Sequence, residues 1–447
     1  MPPQAAPKRQ PTPGDVLRLD RTKEPIRVVE VVGEGGQGVV FQVTLSSGAP
    51  LALKWYRSTI DTPHRRNTIR ALVHKRQPHT AFLFPFDMVT DPGVAGFGYV
   101  MPWMESRFIT VAQAVSEQSL SLPTMARIGR KLAEAFHALH SSGLCYRDIS
   151  FGNLWVDPVR ADLAIIDNDN VGADGGDSDI WGSLKFMAPE VTRREARPST
   201  LTDMHSLAVL LFILLMHGHP LEGVRVEESY GWGPHRASEQ EISMLHFGKE
   251  PLFIFDPHDP ANRVVPTHPP AVRWPFYPQF IRDLFTRAFT VGLREPSLAS
   301  RILPARWRDA MASVHDLASL CANCGVALIH DPEDPAKPCW YCGVIPPQRP
   351  LLRLRQGREI VLLAEGAVLS NHHVTGDRDY DGLAAVVEAH PRAPYGLLLR
   401  NRTTSTWRVH PAGETAKEVV PEDAFAIRNA RITFGRTHGE ITVPTIR

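Results

Sequence analysis

The stretch LCYRDISFGNLWV, Leu144 to Val156, sets Asp148 and Asn153 five residues apart between apolar runs. Fourteen residues beyond Asn153, Asp167 closes the apolar run LAII. Two carboxylates and an amide oxygen suit magnesium ions, and one carboxylate can accept the proton of a hydroxyl nucleophile. Asp and Asn also cap ordinary turns, so this loop alone leaves a plain turn open. Upstream, VGEGGQGVV spaces Gly33, Gly35 and Gly38 so that main-chain N–H groups can approach phosphates with no Cβ in the way. The chain then runs on as the strand VVFQVTL, whereas a dinucleotide-binding loop would lead into a helix. Lys54 follows in LALK, among alternating apolar neighbours. A lysine stem buried in that way usually serves an anion.

The elements that must hold these groups fall into two kinds. From Ile26 to about Met101 the chain is strand-rich, with IRVVEVVG, GVVFQVTL, LALKWY and FGYVM around one basic, helix-like segment. From Val111 to about Val314 it is mostly helical. The longest apolar run, SLAVLLFILLM (Ser206 to Met216), is shorter than the roughly 20 residues a bilayer needs and reads as a buried helix.

With these parts in order, residues 26–314 resemble a bacterial protein kinase of the eukaryotic (Hanks) type. The resemblance rests on the glycine loop, LALK, YRDISFGN, IIDND, GSLKFMAPE and TDMHSLAVLLFILL. It implies a bilobal α+β fold, with a small lobe over 26–101 and a large lobe over 102–315. It implies ATP and Mg2+ as cofactors, with Gly33, Gly35 and Gly38 over the phosphates and Lys54 on the α- and β-phosphates. Asp148 would act as the base toward a substrate hydroxyl, and Asn153 and Asp167 would hold magnesium. Val40, Ala52 and Met101 would line the nucleotide, with the segment Pro102 to Met104 as the hinge. Pro102 keeps its carbonyl acceptor and Met104 its N–H donor. Glu190 and Asp203 would anchor the large lobe.

The departures from the family pattern concern its switch. Tyr146 replaces the usual histidine, Ser150 the usual lysine, and Asp-Asn-Asp (167–169) the usual Asp-Phe-Gly, so Asn168 loses an apolar plug and Asp169 a flexible glycine. No glutamate occurs between Trp55 and Met104, although the helix carboxylate that pairs with the lysine should fall near Thr68 to Val73. Lys54 is therefore expected to reach Asp167 instead. The segment from Asp167 to Glu190 has no threonine or tyrosine, so Asp177 or Asp179 is expected to give Arg147 a permanent negative partner, with Ser178 as the competing phosphosite.

Four of the five cysteines form Cys321-x2-Cys324 and Cys339-x2-Cys342, each pair followed by glycine. Two such knuckles suit a structural Zn2+ with no open coordination position, in a ribbon spanning 316–346. From 347 to 447, short β-branched runs alternate with turn residues, the pattern of a small all-β sandwich. It weakly resembles a forkhead-associated domain, through Gly357-Arg358, Ser370-x2-His373 and Asn401, which follow the order of that domain's phosphothreonine site.

The 447 residues suggest two to four domains, and a net charge of +1 with no basic stripe argues against nucleic acid or a membrane surface as partner. The start, MPPQAAPKRQPTPGD, has no apolar core for a secretory signal, and residues 1–25 are expected to be a disordered, proline-rich tail in a cytoplasmic protein. The expected function is a protein serine/threonine kinase with atypical regulation; the alternative is a pseudokinase scaffold that recruits partners through its zinc and β modules. The resemblance also implies, as partners, a phosphatase and a von Willebrand A-type protein from a shared operon.

Overall fold

The computed structural model describes residues 9–176, 181–230 and 237–444. The chain divides into two compact units. The first holds most of the chain up to Arg308; the second adds Ser121–Arg127 and Pro269–Asp283 to the stretch from Asp309 onward.

The first unit opens with a six-stranded antiparallel sheet of β1 (Val16–Arg18), β2 (Pro25–Glu34), β3 (Gly38–Leu45), β4 (Pro50–Tyr56), β5 (Asp87–Val89) and β6 (Phe97–Pro102), in the order β1-β2-β3-β4-β6-β5. Alternation decides its two faces. Val39, Phe41, Val43, Leu53 and Trp55 point into one apolar cluster, which leaves Val40, Ala52, Lys54 and Tyr56 on the opposite face. The expected disordered tail is corrected here. From Arg9 onward the chain is ordered, with Arg9 paired to Asp15 at 2.6 Å and Val16–Arg18 hydrogen-bonded along β2. The reason is burial, because Leu17 and Leu19 enter the same apolar cluster. Residues 1–8 lie outside the described residues.

Helix α1 (Pro63–Val73) starts from a Thr62 cap with proline in its first turn, and it buries Ile69 and Leu72. It contains no acidic residue. The long helices are α2 (Leu122–Ser141), which belongs to the first unit from Ile128 onward, and α3 (Thr200–Met216). A reciprocal Ser199/Thr202 capping box starts α3, which is buried from Thr202 to Met216 and apolar on all sides from Leu207 onward. Among the described residues no helix is long and apolar enough to cross a membrane.

In the second unit, Ala318–Leu320 pairs with Ala327–Ile329 beside the four cysteines. Beyond them stand a six-stranded and a four-stranded antiparallel sheet. Inward residues of both, among them Leu352, Leu354, Val387, Leu399, Trp407 and Ile432, make one core. The cysteine knuckles and these sheets, expected as two domains, fall in the same unit.

Candidate functional site

Strand register assembles the small-lobe side of the site. Lys54 on β4 lies opposite Val40 on β3 and Tyr99 on β6, while Ala52 lies opposite Met101. Residues directly opposite in an antiparallel pair share a face, so Val40, Ala52, Lys54, Tyr99 and Met101 look the same way. Pro102 pairs with Leu51 at the end of β6, and the chain leaves the sheet through half-buried Trp103 and Met104. The glycines of the β2–β3 turn differ in what they do. At Gly38 an added Cβ would lie 2.1 Å from the Trp55 carbonyl, so packing alone demands glycine there. At Gly33 and Gly35 a Cβ would meet no protein atom within 4 Å.

A second hairpin brings the remaining polar groups together. Strands Leu154–Val156 and Leu163–Ile165 run antiparallel with Leu154 opposite Ile165. The residue before the first strand therefore meets the residues after the second. Asn153 and Asp167 become neighbours in this way, with Ile166 donating to the Asn153 carbonyl at 3.0 Å. Asn153 donates through Nδ2 to the Asp148 carbonyl at 2.9 Å and to its carboxylate at 3.2 Å. The other Asp148 oxygen accepts from Ser183 at 2.9 Å. Tyr146, in place of the expected histidine, is fully buried and donates its hydroxyl to the Ile166 carbonyl, one residue before Asp167.

The loop is held from below. Asp203, in the first turn of α3, accepts from the main-chain N–H groups of Tyr146 at 2.7 Å and Arg147 at 3.0 Å. These bonds fix Arg147 at φ 75° and so set the loop on which Asp148 follows. Glu190 forms a buried ion pair with Arg301 at 2.9 Å.

Lys54 carries the main correction to the sequence reading. The expected pair with Asp167 is present at 3.2 Å, but Asp169 is the closer anion, with both oxygens 3.0 Å from the ammonium. The same Asp169 carboxylate accepts from Tyr56 at 2.5 Å and from Tyr99 at 3.1 Å, and its side chain is fully buried. Burial acts to discharge Lys54, yet the Asp169 and Asp167 carboxylates outweigh it and raise its pKa. Burial likewise acts to protonate Asp169, and Lys54 with the Tyr56 hydroxyl overcomes it and lowers the pKa. Both tyrosines are pushed well above the usual phenol range, first by burial and then by the carboxylate beside them. Sequence reading treated Asp169 only as a lost glycine. The available signal was two tyrosines on the lysine's own face, in LALKWY and FGYVM. Glu34, exposed at the end of β2, pairs with Arg57 at 2.6 Å. Asp177, Ser178 and Asp179 lie outside the described residues.

The residues 26–246 match the protein kinase domain family. This part of the chain is similar to protein kinase domains. The chain is similar to the "Probable serine/threonine-protein kinase PkwA" of Thermomonospora curvata, 27% identical over 44% of this chain and 26% of that protein. It is also similar to the protein kinase gsk3 of Schizosaccharomyces pombe, 26% identical over 48% of this chain and 55% of that protein. A CBL-interacting protein kinase 19 of Oryza sativa subsp. japonica is 26% identical over 54% of this chain and 46% of its own length. The chain thus spans between about a quarter and about half of these relatives.

In the second unit, Cys321, Cys324, Cys339 and Cys342 bring their sulfurs within 4.8 Å of one another. Cross-pair separations of 3.8 Å (Cys321–Cys342) and 3.7 Å (Cys324–Cys339) exclude disulfides, whose sulfurs sit about 2.0 Å apart. They match the edge of about 3.8 Å in a tetrahedron built from Zn–S bonds of about 2.3 Å. The forkhead-like residues turn inward instead. Ser370 and His373 cap one short helix, with the Ser370 N–H on His373 Nδ1 and His373 Nε2 3.0 Å from Asp316. Asn401 spends its amide on the Ser405 and Val419 carbonyls and is fully buried. Only Gly357 and Arg358 of that set are exposed.

Proposed function

We propose that this protein is an ATP-dependent protein kinase that transfers the γ-phosphoryl group to serine or threonine hydroxyls of protein substrates. What supports it most is the meeting of Asp148, Asn153 and Asp167 at one end of a hairpin, with Lys54 of the small lobe 3.2 Å from Asp167.

Each group suits its part. Asp148 has one oxygen on Ser183 and the other on Asn153, which orients the carboxylate to accept a proton from an incoming hydroxyl. With Nδ2 committed to Asp148, the Asn153 Oδ1 is the atom available to a cation. The Asp167 side chain is 43% exposed and touches Lys54 through one oxygen, so it retains ligand capacity. These are hard oxygen donors, as magnesium requires. Mg2+ would supply charge neutralisation to the phosphate oxygens when bound. Lys54 would grip the α- and β-phosphates, and the open sides of Gly33 and Gly35 would let main-chain N–H groups approach them. Val40, Ala52 and Met101 offer the apolar lining for an adenine, with the Pro102 carbonyl and the Met104 N–H as its polar partners. Ser150 brings no charge to the base, which leaves charge stabilisation to Lys54 and the metal. The four thiolates would hold one structural Zn2+, since all four positions are protein ligands.

The scaffold alternative drew on the absence of a helix carboxylate for Lys54. The Asp169 pair weakens that ground. Phosphoamino-acid analysis of protein labelled with radioactive ATP tests the reading. Label on serine or threonine is the expected result, and label on tyrosine alone would contradict it.

A further inference from the structure

We propose that Asp169 is the positioning residue of Lys54, locked by the hydroxyls of Tyr56 and Tyr99, so that the lysine is set without any carboxylate from helix α1. The inference rests on the nucleotide-binding reading of the same cleft and deepens it.

Lys54 is 7% exposed, and an ammonium so buried needs a fixed anion. Asp169 answers with both oxygens. Oδ1 takes Lys54 at 3.0 Å and Tyr99 at 3.1 Å, and Oδ2 takes Lys54 at 3.0 Å and Tyr56 at 2.5 Å. A carboxylate has about four acceptor directions, and here four contacts use them. Asp169 therefore has nothing left for a metal, whereas Asp167 does. The two carboxylates divide the work, one as clamp and one as ligand.

Sheet geometry explains why the clamp is rigid. Tyr56 stands two residues beyond Lys54 on β4, hence on the same face, and Tyr99 lies directly opposite Lys54 on β6. Lysine and both hydroxyls are thus parts of one sheet, fixed by its register. Helix α1 offers Asp169 only positive charge, through Arg65, whose guanidinium sits 5.7 Å over the Tyr56 ring. A displacement of α1 would leave the lysine where it is. The site is consequently not gated by that helix.

The test uses the full chain and calorimetric titration with ATP, in one arm with magnesium and in the other with EDTA. In Asp169→Asn the ammonium swings to Asp167, its remaining anion, and away from the phosphates. Affinity is expected to fall about tenfold in both arms, the scale of one charge-assisted hydrogen bond. Asp167→Asn is expected to lose affinity only in the magnesium arm. The Tyr56→Phe, Tyr99→Phe double variant keeps every charge and guards against a misfolded Asp169→Asn. Its affinity should fall about threefold in both arms, as the loss of neutral donors implies. A loss confined to the magnesium arm in Asp169→Asn would make Asp169 a metal ligand and overturn the proposal. Unchanged affinity in both the Asp169 and the double variants would overturn it too. Failure of the wild type to bind ATP in either arm would instead overturn the nucleotide reading beneath it.

Discussion

The guanidinium of Arg147 lies against the backbone of Gly172, where an added Cβ would fall 2.3 Å from Nη2, and it donates to the Ala173 carbonyl at 3.2 Å. A main-chain carbonyl thus meets the cation beside the candidate base. Two outcomes follow for the kinase reading. Phosphatase treatment should leave turnover unchanged. Gly172→Ala should displace the flexible guanidinium rather than the backbone, so turnover falls several-fold while Tm stays close to wild type. A Gly172→Ala variant as active as wild type would show that the contact has no role in catalysis.

Ser183 bridges to Asp148 at 2.9 Å, and its loss should leave one oxygen of the base free to rotate. A neutral hydrogen bond to a charged group contributes about 1.5 kcal/mol, so Ser183→Ala should lower kcat by about tenfold. KM for ATP should not change, since the serine's hydrogen bond goes to the base and not to Lys54, Asn153 or Asp167. Steady-state kinetics at varied ATP separates the two parameters.

The cysteine cluster should hold one zinc per chain, as counted by elemental analysis of protein purified without chelator. The apolar cluster around it, Leu328 with the half-buried Val326 and Trp340, is small, so metal binding must supply much of its order. A strong chelator or Cys339→Ser should melt this segment first, seen as new protease cleavage between 320 and 343. Metal-free protein with an unchanged cleavage pattern would contradict the assignment.

Asp316 gives the second unit an acid limit. Burial acts to protonate it, but the His373 and His315 rings beside it hold its pKa at about 2, against 3.8 for the free side chain. A carboxylate whose pKa is lowered by folding stabilises the fold above its unfolded pKa and loses that contribution as the pH drops through the folded one. About 2 kcal/mol should therefore be present above pH ~4 and drain away between pH ~4 and pH ~2. Asp316→Asn should lower stability at pH 7 by a similar amount and flatten this acid limb in denaturant titrations.

The sequence made the site's scaffold legible because its signals are local. Glycine spacing, the apolar alternation around Lys54 and the five-residue step from Asp148 to Asn153 each act within one hairpin or loop. What stayed hidden depends on long-range register. Asp169 meets Lys54 only because an aspartate 115 positions away is brought under the sheet, and no pattern within either segment encodes that approach. Proline content obscured β1, where Leu17 and Leu19 come from a mostly polar stretch and yet enter the core. In the second unit, Ser370, His373 and Asn401 matched a binding pattern by order alone, and their side chains close on the fold's own backbone.

The most direct measurement of the central assignment compares wild type with Asp148→Asn in a single-turnover assay with radiolabelled ATP and a generic basic protein as acceptor. Asp148→Asn keeps the hydrogen bond from Ser183 and keeps Lys54, Asn153 and Asp167, so ATP affinity should match wild type within about twofold while transfer falls by a factor of at least about 100. Equal transfer by the two proteins, or none by wild type that binds ATP normally, would contradict the kinase assignment.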